Sequence, residues 1–183
     1  MNLPHFFFLV LTVFLAVFAQ AAFPIGRMVL GAQIDLLPPL VVYAALSSGL
    51  TGVSLTAIWG GLLFDSLSAN PLGTSVAPLL VIGSLICAKR ELILRDQVFA
   101  QAVIGIAASA AFALLSLLIL LHLGSRPTLG WGTLWQIGVT AAGGGILAPF
   151  MFKIFGWLGH HLAYGRAEPT SFRPDREIRR GRT

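Results

Sequence analysis

The chain has 183 residues, 56% of them hydrophobic and only 10% charged, with a mean hydropathy of +0.86 and a formal net charge of +5. So high an apolar share with so few charges marks an integral membrane protein, and the polar breaks are too short to hold a soluble catalytic domain. A single cysteine, Cys87, excludes an intrachain disulfide and is read as apolar filling.

Residues Leu3 to Phe23 are uncharged and long enough to cross a hydrocarbon core of roughly 30 Å at about 1.5 Å per residue. This is the expected first span. A cleaved signal peptide is the competing reading, because Ala19-Gln20-Ala21 has a small-x-small pattern. The leading residues carry no Lys or Arg, however, which favours retention. Met28 to Leu67 is apolar apart from Asp35 and Asp65 and too long for one span. Ser47-Ser48-Gly49 suits a turn between two helices, and Pro38-Pro39 suits the first turn of the earlier one. Leu72 to Ala88 is the expected span four, Val98 to Leu123 span five and Leu134 to Leu158 span six, with Pro149 inside the last. The expected fold is therefore all-α, a polytopic membrane bundle of six transmembrane helices over 1–165 with a basic tail over 166–183.

The positive residues orient this map. Lys89, Arg90, Arg95, Lys153, Arg166, Arg173, Arg176, Arg179, Arg180 and Arg182 fall on one side, the cytoplasmic one, leaving Arg27 and Arg126 opposite. Five spans with the N-terminus outside satisfy the same bias, as does cleavage after Ala21. Pro169 and Pro174 discourage a continuous helix in the tail, and its basic residues favour anionic lipid at about 1 kcal/mol each near the surface. With Phe172 as its one stacking aromatic, the tail is not read as a nucleic-acid site. Trp131, Trp135 and Trp157 near the ends of the last span read as interfacial anchors.

Two carboxylates need a reason. An aspartate at the centre of a membrane helix costs about 2.5–3.5 kcal/mol and less near the interface. On the six-span map Asp35 and Asp65 both sit at the outer ends of their helices, within reach of headgroup water. Asp65 is placed to accept backbone N–H groups from Ser66 to Asn70, while Pro71 and Gly73 set the start of span four. Asp35, Asp65, Asn70, Pro71 and Gly73 thus form a candidate partner-facing hinge. His5, His122, His160 and His161 are dispersed, and no nucleophile motif, phosphate loop or metal-ligand spacing is present, so neither enzymatic activity, a cofactor nor a metal is expected. Gly52, Thr56 and Gly60 recur at i, i+4, i+8, and Gly105, Ser109 and Ala113 repeat the pattern, which lets helix backbones approach closely. Gly143-Gly144-Gly145 is expected to loosen the last helix ahead of Pro149.

The order Asp35-Leu36-Leu37, Pro39 to Leu46, then Gly60-Gly61-Leu62-Leu63-Phe64-Asp65-Ser66-Leu67-Ser68-Ala69, Pro71-Leu72-Gly73 and a basic break after span four resembles the rod shape-determining protein MreD family. The likeness runs on to Ala148-Pro149-Phe150 and covers most of Asp35 to Leu158. Its specific part is the Gly-Leu-Leu-x-Asp-x-Leu-Ser-x-x-Pro-Leu-Gly stretch. Two features depart from the family: the Ser47 to Thr51 turn lacks basic residues, and the basic tail is long. The resemblance implies a non-enzymatic scaffold of the bacterial inner membrane, working in cell elongation with MreC and, directly or indirectly, MreB, RodA and penicillin-binding protein 2. It also implies a fold similar to the substrate-binding subunits of energy-coupling-factor vitamin transporters, which gives the alternative function. Such a subunit needs a ligand pocket near its outer face, where the sequence offers Asp35, Asp65, Asn70 and Arg126.

Overall fold

The computed structural model describes residues 3–22, 25–68, 70–92, 97–124 and 130–163; the tail, Arg95, Arg126 and Ala69 lie outside the described residues. Every regular element among them is helical. In chain order these are α1 (Leu3–Ala22), α2 (Ile25–Leu30), α3 (Leu37–Ser47), α4 (Gly49–Leu67), α5 (Val76–Ala88), α6 (Val98–His122) and α7 (Trp131–Ala163), with a 3-10 turn at Arg90–Leu92.

Four stretches are long and apolar enough to cross a membrane: Leu9–Met28, drawing on α1 and α2, then Gly49–Leu67, Val98–His122 and Trp131–Trp157. The six expected spans are not all of that kind. At 11 and 13 residues, α3 and α5 rise only about 16 and 20 Å, short of a hydrocarbon core. The reason is visible in the packing. α3 touches α1, α4, α5, α6 and α7 and buries Leu37, Leu40, Val41, Val42, Ala44, Ala45 and Leu46 on all sides, so it is the centre of the bundle rather than a lipid-facing span. α5 starts at Val76 rather than at Leu72, because 71–75 is a run of turns with Gly73 at φ +92°.

Burying the start of a short helix leaves orphan N–H groups, and the sequence meets this locally. In α3 the prolines at 38 and 39 have no N–H to satisfy, and the Leu36 amide donates to Gln20 Oε1 of α1 at 3.0 Å. In α5 Pro78 plays the same part, and the amides of Gly73 and Ser75 turn to Asp65. The expected turn between α3 and α4 is present: Ser48 caps both helices and Gly49 takes φ +69°, a conformation that glycine adopts without strain.

Small residues set the close contacts. A Cβ on Gly60 would lie 2.7 Å from Leu37 Cδ2 and 2.9 Å from Val13 Cγ1, so α1, α3 and α4 meet there. Thr56, one turn earlier, is fully buried, and Gly52 sits against the Ala44 carbonyl. The α6/α7 seam is the most extensive helix pair. Gly105 faces Ala148, Gly144 faces Gly105 and Ser109, and Gly145 faces Ile106. The glycine triplet therefore does not loosen α7, which continues unbroken through Pro149 to Ala163; it removes side chains where α6 must approach. Phe14, Phe18, Leu118, Ile146 and Phe150 remain exposed, a pattern suited to lipid and ill-suited to water.

Candidate functional site

One end of the bundle brings together the C-terminal ends of α1, α4 and α6 and the starts of α3, α5 and α7. Two non-helical segments enter it, 31–36 and 68–75. Irregular backbone in an apolar bundle must find internal hydrogen-bond partners, and both segments do.

The first segment is held from two sides. On the α7 side Gln136 forms a reciprocal pair with the backbone of Gln33: the Gln33 amide donates to Gln136 Oε1 at 3.0 Å, and Gln136 Nε2 donates to the Gln33 carbonyl at 2.9 Å. Thr140 Oγ1 shares its one proton between the same carbonyl at 3.1 Å and the Gln136 carbonyl of its own helix at 2.8 Å, and Trp135 Nε1 donates to the Leu30 carbonyl at 2.9 Å. On the α1 side Gln20 donates to Asp35 Oδ1 at 2.7 Å while its Oε1 accepts the Leu36 amide. Gln33 Nε2 also donates to Asp35 Oδ1, at 3.2 Å, and Arg27 donates to Gln33 Oε1. A chain Arg27–Gln33–Asp35–Gln20 results. Burial pushes the Asp35 carboxyl up from 3.8 to about 6, against the opposing pull of Gln20, Gln33 and the Arg27 charge.

The second segment hangs on Asp65. Its Oδ2 accepts the amides of Gly73 at 2.8 Å and Ser75 at 3.1 Å, at the N-terminal end of α5 where a negative charge is favoured. Among the described residues the expected donors Ser66, Leu67, Ser68 and Asn70 are not the ones used: the helix runs on to Leu67, and the chain must turn back before its amides can face the carboxylate. Nor does either carboxylate sit in open headgroup water, for Asp65 is 1% and Asp35 9% exposed. Asp65 Oδ1 is buried without a partner. Pro71 supplies a carbonyl to the Thr74 amide and hydroxyl, and the Asn70 amide donates to Ser68 Oγ at 3.4 Å.

Between the two segments lies a cavity of about 600 Å³. Asp35, Asn70 and Ser75 line it from the clamped segments, Phe64 from α4, Phe112 and Ser116 from α6, and Gln136 and Thr140 from α7. The structure thus brings Asp35 and Asn70 to one space, puts the Asp65 turn beside it through Ser75, and leaves Gly52, Gly60 and Pro149 to packing. Gln20, Gln33, Gln136 and Thr140 escaped sequence reading. Gln136 and Thr140 had a signal, polar residues at i, i+4 in an apolar helix; Gln20 was absorbed into a cleavage-site pattern. Among the described residues no group of three or more His, Cys, Asp or Glu is placed to hold a metal ion.

Comparison with protein families, with curated proteins and with solved structures finds no match to this chain.

Proposed function

We propose that the chain is a non-enzymatic component of the bacterial cell-elongation machinery, similar to MreD, that spans the inner membrane and works with MreC. The observation that carries this reading is the Gly60–Gly73 stretch on which the resemblance rests. In the fold it is one device: Gly60 seats α4 on α1 and α3, Asp65 ties the turn, and Gly73 takes the positive φ that lets the turn reach the carboxylate. Six helices that alternate in direction, with α3 and α5 sheltered by the longer four, fit a six-pass chain. Lys89, Arg90 and Lys153 then share the end opposite Arg27, in keeping with a cytoplasmic C-terminus. Co-purification with the MreC of the same organism in mild detergent tests the proposal. Retention of MreC by the wild type, and its loss in a well-folded Pro71→Ala variant, is the expected result; no retention by the wild type refutes it.

The cavity favours one alternative, the substrate-binding subunit of an energy-coupling-factor type transporter. Depletion separates the two. A scaffold's loss rounds the cells whatever the medium contains, whereas rescue of growth and shape by one added vitamin overturns the scaffold reading.

A further inference from the structure

The cavity carries chemistry that a scaffold leaves unused. At about 600 Å³ it has the size of a small-molecule site, and its wall is divided. Phe64, Phe112 and Ile137 form an apolar part, while Asp35, Asn70 and Ser116 form a polar one. The polar part is short of donors. Both hydrogen bonds to the Asp35 carboxylate go to Oδ1, so Oδ2 has no protein donor although the residue is only 9% exposed. The Ser116 hydroxyl is buried with no partner at all. No basic side chain lines the space among the described residues. Asp35 Oδ2 therefore faces the cavity as a free acceptor on a largely buried carboxylate, and a ligand that brings N–H groups and positive charge satisfies it.

The acceptors also discriminate between cations. A chelated metal would need more ionised or imidazole ligands than one carboxylate, and no such group occurs among the described residues. A primary ammonium has three donors to share among a carboxylate, an amide oxygen and a hydroxyl, and an apolar body attached to it would rest against Phe64 and Phe112. We propose that this cavity binds a primary ammonium compound with an apolar body, anchored by Asp35. The inference goes beyond the scaffold reading and needs no other protein.

The test uses the full chain in phosphatidylcholine nanodiscs, with empty nanodiscs subtracted. The probes are dansylcadaverine, which joins an ammonium to an apolar fluorophore, and dansylglycine, which presents a carboxylate instead. Saturable, blue-shifted emission is expected with dansylcadaverine. Binding should weaken more than about tenfold for dansylglycine and for Asp35→Asn, as expected when a buried charge loses its partner. Ala113→Trp, which fills the cavity and keeps the carboxylate, should abolish binding, and it carries the test alone if Asp35→Asn does not fold. Equal binding of the two probes, or dansylcadaverine binding unchanged in Ala113→Trp, overturns the proposal. Because the measurement involves the purified chain alone, it is unaffected by whether MreC is retained.

Discussion

Replacing Asp65 by alanine removes the acceptor on which the 71–75 turn hangs. Two amides converge on Oδ2, from Gly73 at 2.8 Å and Ser75 at 3.1 Å, in a residue only 1% exposed, so water cannot readily replace the carboxylate. Hydrogen bonds to a charged acceptor contribute about 1.5–3 kcal/mol each. Against this stands Oδ1, buried with no partner, whose desolvation costs the wild type about 1–3 kcal/mol and disappears on truncation. The central values of these ranges balance to a loss of about 2–3 kcal/mol for Asp65→Ala. Asp65→Asn keeps an oxygen for the two amides and gives up only the charge on the acceptor, so its loss is smaller, about 1–2 kcal/mol. At about 2–4 °C per kcal/mol for a chain of this length, alanine lowers the melting temperature by about 4–12 °C and asparagine by less. Thermal unfolding of the detergent-solubilised chain, followed by the tryptophans, reads both. A melting temperature for Asp65→Ala within about 2 °C of wild type, below the smallest shift on this scale, would refute the claim that the carboxylate holds the turn.

The Asp35 carboxyl, pushed up from 3.8 to about 6 by burial, makes the fold bind this proton more tightly than the unfolded chain does. The Asp35 contribution to stability is therefore greatest below about pH 4 and is lost as pH rises through about 6, a change of up to about 3 kcal/mol, and Asp35→Asn should flatten that part of the stability profile. Gln136→Leu removes both bonds of the reciprocal pair with Gln33 and leaves Thr140 on the carbonyl; a loss of about 1–3 kcal/mol should appear as faster hydrogen exchange of the 31–36 amides. Gly105→Val, whose Cβ would lie 2.6 Å from that of Ala148, should open the α6/α7 seam and lower the yield of folded protein, while Gly138→Ala, with open space around it, should not. A reporter fused after Thr183 should read cytoplasmic and one at Asn70 the opposite side; the same side for both refutes the six-pass arrangement.

The sequence made the helices legible and hid how they divide the work. Hydropathy located α1, α4, α6 and α7 because lipid demands long apolar helices there, and Pro38-Pro39 and Ser47-Ser48-Gly49 marked the limits of α3 through backbone chemistry alone. Hydropathy could not show that α3 and α5 are shorter than a hydrocarbon core and sheltered by their neighbours, since a helix buried in protein and one immersed in lipid have the same apolar composition. Asp65 was recognisable as a turn residue, but its donors were not. They depend on where α4 stops and on the path back to α5, and Gly73 with its positive φ brings the amides of 73 and 75 to the carboxylate. The glutamines were the hardest to read: Gln136 reaches a backbone 103 positions away, a pairing that no local pattern announces.

Irregular backbone and cavity have one cause. A short helix cannot begin inside the bundle without giving its approach segment hydrogen-bond partners, so Gln20 of α1 and Gln136 and Thr140 of α7 meet the backbone where α3 starts. Side chains placed to hold backbone cannot also fill space as Leu or Phe would, and the turns at 71–75 keep α5 from rising to close the gap. A cavity with a polar wall follows from the decision to bury α3. Any ligand taken there would touch the groups that hold segment 31–36, so occupancy and the stability of this end of the bundle are coupled by construction. Filling the cavity would therefore stiffen the end of the bundle where the Asp65 turn lies.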